Sequence, residues 1–254
     1  MIKTLYKKII SERQRNNLRF AAYKLRSLFY RGDQYYCICC DTSFRCFITY
    51  GNDPRPNALC PSCHSLERTR VLMYYLQREV KLFDRSLKFL HFAPERALEK
   101  KIKAHKSTSY FTADINSNLA DHVVDILSIP FDNDTFNLIV CSHVLGHVAD
   151  EAKAINEMLR VLKPNGEAII MTVINSLLEN TFEDDGILSE SDRLKQYGES
   201  DLLRKHGQDF EQRLQRKDWT VIAKDYRLTF SAEEQRCYSL GNGNREVIFS
   251  CKKN

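Results

Sequence analysis

Two features that send a chain to or across a membrane are missing from this sequence. No run of about 18 apolar residues occurs, so we expect no membrane-spanning helix. The first residues carry charge but no uncharged apolar segment, which argues against a secretory signal peptide. We therefore expect a cytoplasmic location, with peripheral attachment to a membrane as an additional option.

Positive charge is concentrated in one segment. Residues 1–31 contain nine Lys or Arg and a single acid, Glu12, a net charge of +8; since the whole chain carries +5, the remainder carries −3. Apolar residues recur there at helical spacing, at Leu18, Ala21, Ala22, Leu25, Leu28 and Phe29. Residues 1–33 are therefore predicted to form a basic amphipathic helical arm. It either packs on the body as a solvated helix or contacts an anionic partner, a membrane surface or nucleic acid.

The nine cysteines are unevenly spaced, and four of them form two C-x2-C pairs with 19 residues between the pairs, at Cys37, Cys40, Cys60 and Cys63. A two-residue gap lets both sulfurs of a turn face one ion, so the four are predicted to hold a structural Zn²⁺ in a reducing compartment. Cys39 and Cys46 remain alternative ligands, and a metal-free ribbon is the other interpretation. Residues 34–83 are predicted as a zinc ribbon plus a connecting helix, where Arg68 and Arg70 contact a substrate or are solvated.

From residue 84 the pattern alternates between strand and helix, which predicts an α/β domain over 84–254 with a doubly wound, mostly parallel seven-stranded sheet. The predicted strands are Leu87–Phe92, Tyr110–Ala113, His122–Asp125, Phe136–Cys141, Glu167–Val173, Thr220–Phe230 and Glu246–Cys251. The predicted helices are Glu95–His105, Asp150–Leu162, Glu190–Lys195 and Asp201–Gln215. The short turn Ser239–Asn244 before the last strand predicts a closing hairpin with one antiparallel strand.

Several strands end in polar residues: Asp114, Asp125 and Ser142-His143 follow the second, third and fourth apolar runs. The carboxyl ends of parallel strands meet at one edge of a sheet and form its ligand crevice. We therefore expect these side chains to border one binding site.

In this order, the motifs resemble the class I S-adenosylmethionine-dependent methyltransferases. They are most similar to the type 11-like group with an N-terminal zinc ribbon, often associated with glycan and surface-polysaccharide biosynthesis. The resemblance extends over residues 30–252 and rests on Tyr35-Tyr36-Cys37, the run 55–63, Ser65-Leu66-Glu67-Arg68, Leu90–Glu95, Thr112-Ala113-Asp114, Asp125-Ile126, His143-Val144-Leu145 and the run 160–166. It implies a Rossmann-like methyltransferase fold, S-adenosylmethionine as cofactor and methyl transfer to a sugar or glycan-related small molecule.

The resemblance also implies which residues bind the cofactor. Asp114 would take the ribose hydroxyls, and Asp125 with the Ile126 backbone would take the adenine; turn aspartates are the alternative for both. Ser142 and His143 would lie beside the passing adenine and methionine arm. The first turn lacks the glycines of the family and has His91, Phe92, Ala93 and Glu95 instead. We expect Ala93 to permit close backbone approach and Glu95, at a helix N-terminus, to reach the methionine ammonium.

Catalysis is assigned to His143, Glu183 and Asp184. His143, like His147, has the pKa range of a general base, with a buried structural histidine as the alternative. Glu183, Asp184 and Arg204 lie in an insert that resembles the substrate-covering insert of the family, residues 174–217; they would bind sugar hydroxyls or a phosphate, or form ordinary surface charge. The chain departs from the family pattern at Gly146, where the family has Glu, and at Leu202, where it has His.

Two other functions fit the sequence. The first is an RNA methyltransferase whose zinc ribbon holds RNA, which the basic arm favours and the acidic remainder opposes. The second is a non-catalytic scaffold with a degenerate crevice, which the glycine-free first turn favours. The presence of both Asp114 and Asp125 opposes it.

Overall fold

The computed structural model describes residues 12–105, 108–116 and 118–254. The part of the predicted arm before Glu12 lies outside these residues. The helices are α1 (Glu12–Arg26), α2 (Glu67–Arg78), α3 (Arg96–Lys103), α4 (Glu151–Val161), α5 (Glu190–Tyr197), α6 (Phe210–Leu214) and α7 (Ala232–Cys237), with 3₁₀ turns at Ser27–Tyr30, Leu145–His147 and Tyr226–Thr229. None of the helices in these ranges is both long and apolar enough to cross a membrane.

Thirteen strands belong to the same described ranges. They are β1 (Arg31–Cys37), β2 (Thr42–Phe44), β3 (Ile48–Tyr50), β4 (Arg55–Leu59), β5 (Lys88–Phe92), β6 (Ser109–Asp114), β7 (His122–Val123), β8 (Phe136–Ser142), β9 (Leu162–Met171), β10 (Phe182–Glu183), β11 (Arg204–Lys205), β12 (Trp219–Asp225) and β13 (Val247–Lys253).

The predicted seven-stranded sheet is confirmed. Its strand order is β12-β13-β9-β8-β5-β6-β7. The five strands β9, β8, β5, β6 and β7 run parallel to one another. Strand β13 is antiparallel to both β9 and β12, as the closing hairpin requires. The chain moves outward from β5 in both directions, first to β6 and β7 and then to β8 and β9. The carboxyl end of β5 is therefore the point where a doubly wound sheet opens a crevice.

Both faces of this sheet are buried, which explains its nearly continuous apolar strands. In β8, Leu138 and Val140 point to one face while Ile139 and Cys141 point to the other. The first face packs in one cluster with α2 and the cysteine-rich ribbon, and the second packs with α4 and α6. The ribbon thus shares a core with the sheet.

Two short hairpins form the ribbon itself, β1 with β2 and β3 with β4. Arg70 of α2 is fully buried against them. Its guanidinium donates to the carbonyl oxygens of Ser65 and Ala58, at 2.7 and 3.0 Å, and lies 4.7 Å from the centre of the Phe47 ring. Arg70 is therefore neither solvated nor near a substrate: it ties the ribbon to α2.

Two predicted elements differ from the observed ones. The strand expected over 220–230 ends at Asp225, because the Asp225 carboxylate accepts from the Arg227 amide and turns the chain into a 3₁₀ turn. The helix expected over 201–215 is only Phe210–Leu214, preceded by the extended β11. Gly207, within this segment, packs so closely that an added β-carbon would lie 2.6 Å from the carbonyl carbon of Asn180.

Candidate functional site

A crevice of about 490 Å³ opens at the carboxyl ends of β5, β6 and β8. Its walls come from segments that are distant in sequence: Phe92, Ala93, Ala113, Asp114, Ile115, Val124, Asp125, Ile126, Leu127, His143, Val144, His147, Val148, Ala149 and Asp201. Six of the predicted cofactor residues are among them, namely Phe92, Ala93, Asp114, Asp125, Ile126 and His143. Sheet topology thus brings these strand-end residues together, as the sequence predicts.

The first turn, which follows β5, contains no glycine, and its backbone is strained at Ala93. Ala93 has a φ of +46°, in the left-handed region that usually favours glycine. Its amide donates to the carbonyl oxygen of Ala113 at 2.8 Å, which holds the turn against β6. An alanine therefore takes the backbone conformation of a glycine here, and backbone strain of this kind clusters at functional sites.

Behind this turn lies a polar cluster of His91, Glu95 and Ser142. The Ser142 hydroxyl donates to Glu95 Oε1 at 3.2 Å, and His91 Nδ1 is 2.8 Å from the Tyr110 hydroxyl. His91 Nε2 and Glu95 Oε2 are 3.3 Å apart but misaligned. Both atoms are buried without a hydrogen-bond partner among the described residues. These three predicted cofactor residues do not line the crevice; they leave an unsatisfied carboxylate oxygen beside it.

Arg68 of α2, for which the sequence left substrate contact and solvation open, places its charge near the same polar cluster. Its Nε is buried and has no hydrogen-bond partner within the described ranges. Burial raises the pKa of Glu95, but the His91 imidazole and the Arg68 charge more than offset it, so the pKa lies below its usual value. The only sequence signal was the position of Arg68 near the start of a helix, which does not show where that helix packs.

Asp114 and Asp125 both stand at the crevice, and both also stabilise a turn. Asp114 Oδ1 accepts from the Asn116 amide at 2.7 Å, and Asp125 Oδ1 accepts from the Leu127 amide at 2.9 Å. One carboxylate oxygen of Asp114 and one of Asp125 therefore stabilise a turn, as the alternative interpretation expects. Each second oxygen makes no hydrogen bond within the described residues and remains available to a ligand.

His143 enters the crevice from the end of β8 with a φ of +57°. Its amide donates to the Met171 carbonyl oxygen at 2.7 Å, and its Nε2 lies 3.2 Å from the Arg245 carbonyl oxygen. A carbonyl only accepts, so Nε2 carries the proton and Nδ1 is the acceptor. Burial, with the nearby charge of Arg68, lowers the pKa of His143 well below its usual value. The imidazole is therefore neutral at pH 7.

The mouth of the crevice is polar. His147 Nδ1 lies 3.3 Å from Asp201 Oδ2, and both residues line the opening. They come from the 3₁₀ turn after β8 and from the insert, so the insert supplies part of the crevice wall. Beside them, a β-carbon on Gly146 would lie 2.8 Å from Leu202 Cδ2. The two positions at which this chain departs from the family pattern are thus in contact.

The predicted catalytic residues of the insert lie elsewhere, outside the crevice lining. Glu183 Oε2 accepts from Arg204 at 2.8 Å, and Glu183 Oε1 accepts from Arg213 at 3.1 Å. Asp184 is exposed, and its Oδ1 accepts from the Gly186 amide at 2.8 Å. Neither residue is among those that line the crevice, and both oxygens of Glu183 are bound to insert arginines. Their catalytic role remains only a sequence prediction.

A buried ion network holds the insert in place. Glu151 binds His206 Nε2 through Oε1 and Arg213 Nε through Oε2, both at 2.6 Å. Arg204 donates to the carbonyl oxygens of Leu145 and Val148, at 2.7 and 2.6 Å. Because Val148 lines the crevice, these hydrogen bonds give Arg204 the role of stabilising the crevice wall rather than that of a substrate ligand.

The four cysteines of the two C-x2-C pairs come together in the ribbon, with all sulfurs within 4.8 Å of one another. Cys37 and Cys63 Sγ are 3.6 Å apart, and Cys40 and Cys60 Sγ are 3.8 Å apart. Tetrahedral zinc with Zn–S bonds of about 2.3 Å requires sulfur separations of about 3.8 Å. Cys39 and Cys46 are outside the group, so the donor set matches the symmetric spacing.

Comparison with known proteins finds a family match over part of the chain. Residues 62–170 match the family model described as a methyltransferase domain. An uncharacterized protein of Methanocaldococcus jannaschii is 42% identical over 62 residues, 24% of this chain and 27% of the relative. A ubiquinone/menaquinone biosynthesis C-methyltransferase of Idiomarina loihiensis is 45% identical over 47 residues, 18% of this chain and 19% of the relative. The chain thus spans less than a third of the length of these relatives.

Among solved structures, the 1,6-didemethyltoxoflavin-N1-methyltransferase of Burkholderia thailandensis superposes with a TM-score of 0.49 at 10% identity, covering 74% of this chain and 78% of the other. An S-adenosylmethionine-dependent methyltransferase of Mesorhizobium loti gives 0.47 at 12% identity, covering 72% of this chain and all of the other. The family match over 62–170 and the sheet order described above support a methyltransferase domain in that part of the chain.

Proposed function

We propose that this class I methyltransferase domain binds S-adenosylmethionine in its crevice and transfers the methyl group to a sugar or glycan-related small molecule. The observation that supports it most is the convergence of Ala93, Asp114, Asp125 and His143 around one crevice at the carboxyl edge of a parallel sheet. The methyltransferase class follows from the family match, and the acceptor is our extension of it.

Residues at the ends of β6 and β7 fit the adenosine of the cofactor. The second carboxylate oxygen of Asp114 suits the ribose hydroxyls, as an acid at the end of the second strand does in dinucleotide folds. Asp125 and the Ile126 backbone suit the adenine edge. Each aspartate is held by its turn hydrogen bond, so the oxygen offered to the ligand is positioned before binding.

The amino-acid end of the cofactor fits the polar cluster behind the first turn. Glu95 Oε2 and Arg68 Nε are buried polar atoms without hydrogen-bond partners among the described residues. Burying such an atom costs free energy unless a bound ligand forms a hydrogen bond with it. A methionine ammonium complements Glu95, and its carboxylate complements Arg68. The lowered pKa of Glu95 keeps this carboxylate ionised, which the ammonium requires.

When bound, S-adenosylmethionine supplies an electrophilic methyl group on a sulfonium. The contribution of the protein is to hold the acceptor in line with that methyl group, because such displacements gain most from proximity and orientation. His143 is neutral, with Nδ1 as its hydrogen-bond acceptor, so it accepts from an acceptor hydroxyl and orients the oxygen. We assign it this orienting role, and its unprotonated Nδ1 would also take the hydroxyl proton as the oxygen is methylated.

A hydroxyl-rich acceptor agrees with the polar mouth of the crevice. His147 and Asp201 border the opening and present hydrogen-bonding groups where a ligand enters from solvent.

We also infer that the ribbon binds one Zn²⁺ through Cys37, Cys40, Cys60 and Cys63, as a structural ion. The sulfur separations agree with a tetrahedral thiolate site, and four thiolates leave no open position for a substrate. Metal analysis of the purified protein should give one zinc per chain, and Cys60→Ser should lose it. Retention of zinc in Cys60→Ser but loss in Cys46→Ser would overturn this ligand set.

Calorimetric titration with S-adenosylmethionine tests the cofactor site. The wild type should bind, and Glu95→Ala and Asp114→Ala should bind more weakly; wild-type-like affinity in both variants would refute the placement. If the wild type neither binds the cofactor nor gains thermal stability in its presence, the protein is a scaffold rather than an enzyme.

A radiolabelled-methyl transfer screen tests the acceptor. Glycans, nucleotide sugars and RNA fractions are incubated with the protein and labelled cofactor. Label in a glycan or nucleotide sugar supports the proposal. Label confined to RNA would identify the protein as an RNA methyltransferase instead.

A further inference from the structure

We propose that the exposed side of α1 and of the turn after it docks on an anionic lipid surface. We call this surface the lipid face and define it by Leu18, Leu25, Leu28 and Phe29. The inference is independent of the proposed methyl transfer, because none of these residues lines the crevice.

The lipid face is an unusual concentration of exposed apolar surface. Leu18, Leu25, Leu28 and Phe29 are 54%, 68%, 54% and 77% exposed. Leu18, Leu25 and Phe29 follow one another at seven and four residues, the spacing of one side of a helix, and the exposed Ala21 and Ala22 fall between them. Contiguous apolar patches of this kind mark interaction sites on soluble proteins.

The opposite side of the same helix is packed, so its orientation on the body is defined. The Tyr23 ring stacks on His64 of the ribbon with centroids 3.9 Å apart. The Arg96 guanidinium lies 3.9 Å from the centre of the Phe20 ring, and Ser27 is buried. The aromatic side therefore attaches α1 to the protein and turns the leucine side outward.

Basic residues border the lipid face on both sides. At 3.6 residues per turn, Arg19 and Arg26 fall on one flank of the line through Leu18 and Leu25, and Lys24 falls on the other. All three are exposed. An interfacial helix has this arrangement, since its long basic side chains reach up to lipid phosphates while the apolar face enters the acyl boundary.

The same features favour a membrane over RNA as the partner of this face. RNA would use the positive charge of the arm and could stack a base on Phe29, but Leu18, Leu25 and Leu28 offer neither stacking nor hydrogen bonds to a nucleic acid. An acyl layer uses both the charge and the leucines. The −3 charge outside residues 1–31 further restricts an anionic partner to the arm.

Vesicle co-flotation of the full-length protein tests the proposal. The wild type should float with phosphatidylcholine vesicles that contain phosphatidylglycerol and should bind pure phosphatidylcholine vesicles much less. Leu25→Ser/Phe29→Ser should reduce binding to the anionic vesicles at least tenfold. The matched control, Leu228→Ser, removes an equally exposed leucine, 73% exposed, outside the arm and should bind like the wild type.

Two further measurements complete the test. Arg19→Gln/Lys24→Gln/Arg26→Gln should lose the preference for anionic lipid, and every variant should keep the wild-type melting temperature and zinc content. The proposal is overturned if the wild type does not float with anionic vesicles, or if Leu25→Ser/Phe29→Ser floats as well as the wild type. Tight RNA binding that weakens steeply with salt, without flotation, would assign the arm to nucleic acid instead.

Discussion

The crevice carboxylates and the insert carboxylates began as equivalent predictions and have different surroundings in the folded protein. We use the first term for Glu95, Asp114 and Asp125, and the second for Glu183 and Asp184. Each crevice carboxylate keeps an oxygen without a hydrogen bond among the described residues. Glu183 instead binds two arginines, one through each oxygen. Asp184 closes a turn through one oxygen, as Asp114 and Asp125 do, but it lies outside the crevice lining.

The difference arises from what positions each group. A residue at the end of a parallel strand is placed at the ligand edge by the topology of the sheet, whatever its local sequence. A residue in an insert is placed by its own contacts, and those of Glu183 are with Arg204 and Arg213. The two groups should therefore fail in different ways when mutated, the insert group in stability and the crevice group in ligand binding.

The largest expected effect is on the insert network. Glu151→Ala should lower the free energy of unfolding by about 3–5 kcal/mol, because it leaves His206 and Arg213 without their buried partner. Denaturant titration measures it, and Asp185→Ala, an exposed acid of the same insert, should change stability by less than about 0.5 kcal/mol. A Glu151→Ala protein of normal stability would show that the network does not hold the insert.

Removing a crevice carboxylate should affect binding instead. Asp114→Ala should weaken S-adenosylmethionine binding by about 1.5–3 kcal/mol, roughly 10–150-fold, because charged hydrogen bonds to the ribose are lost. Calorimetry measures it, with Glu183→Ala as the matched control at unchanged affinity. Equal losses of affinity in the two variants would break the distinction between crevice and insert.

Contact between the insert and the crevice wall can be tested at Gly146. Gly146→Ala should cost at most about 1 kcal/mol of stability, because the new methyl group would lie 2.8 Å from Leu202 Cδ2, the end of a flexible side chain that can shift. When Leu202→Ala is already present, Gly146→Ala should cost much less stability than it does in the wild type, because the contact is gone. A double-mutant cycle measures this difference. Additive effects would mean that the two side chains do not meet.

At the first turn, a change toward glycine should be favourable. Ala93→Gly should raise the free energy of unfolding by roughly 0.5–1 kcal/mol, since a φ of +46° strains alanine but not glycine. Thermal unfolding measures it. Ala97→Gly, within helix α3, is the control and should be destabilising. A destabilised Ala93→Gly protein would argue against the left-handed turn.

The smallest expected effect is on the stability of the protein at low pH, to which Glu95 and Glu151 both contribute. For Glu95, burial opposes ionisation, and the His91 and Arg68 charges outweigh it; for Glu151, burial is likewise outweighed by His206 and Arg213, so both pKa values are lowered. A carboxyl with a lowered pKa stabilises the fold fully above the ordinary glutamate pKa, about 4.3, and loses that contribution as the pH falls through its lowered value. Glu95→Gln and Glu151→Gln should each flatten the fall of melting temperature below that pH. An unchanged acid limb in both would contradict the lowered values.

Much of the fold and part of the site could be predicted from local patterns. The C-x2-C spacing identified the four sulfurs that meet in the ribbon, and alternating apolar runs identified the strands whose ends carry Asp114 and Asp125. The insert could not be predicted in this way. Its helix over 201–215 was expected from spacing, but only Phe210–Leu214 is helical and Arg204–Lys205 pairs as a strand with Phe182–Glu183.

The sequence by itself determined which four cysteines meet in the ribbon, the order of elements and the edge at which the crevice opens, because each depends on residues close in the chain or on strand topology. Only the tertiary structure decided that Arg68 of the ribbon helix stands by Glu95, that Glu183 belongs to an ion network and that Gly146 makes room for Leu202. These contacts join segments that are far apart in sequence, and local periodicity contains no information about which distant side chains will meet.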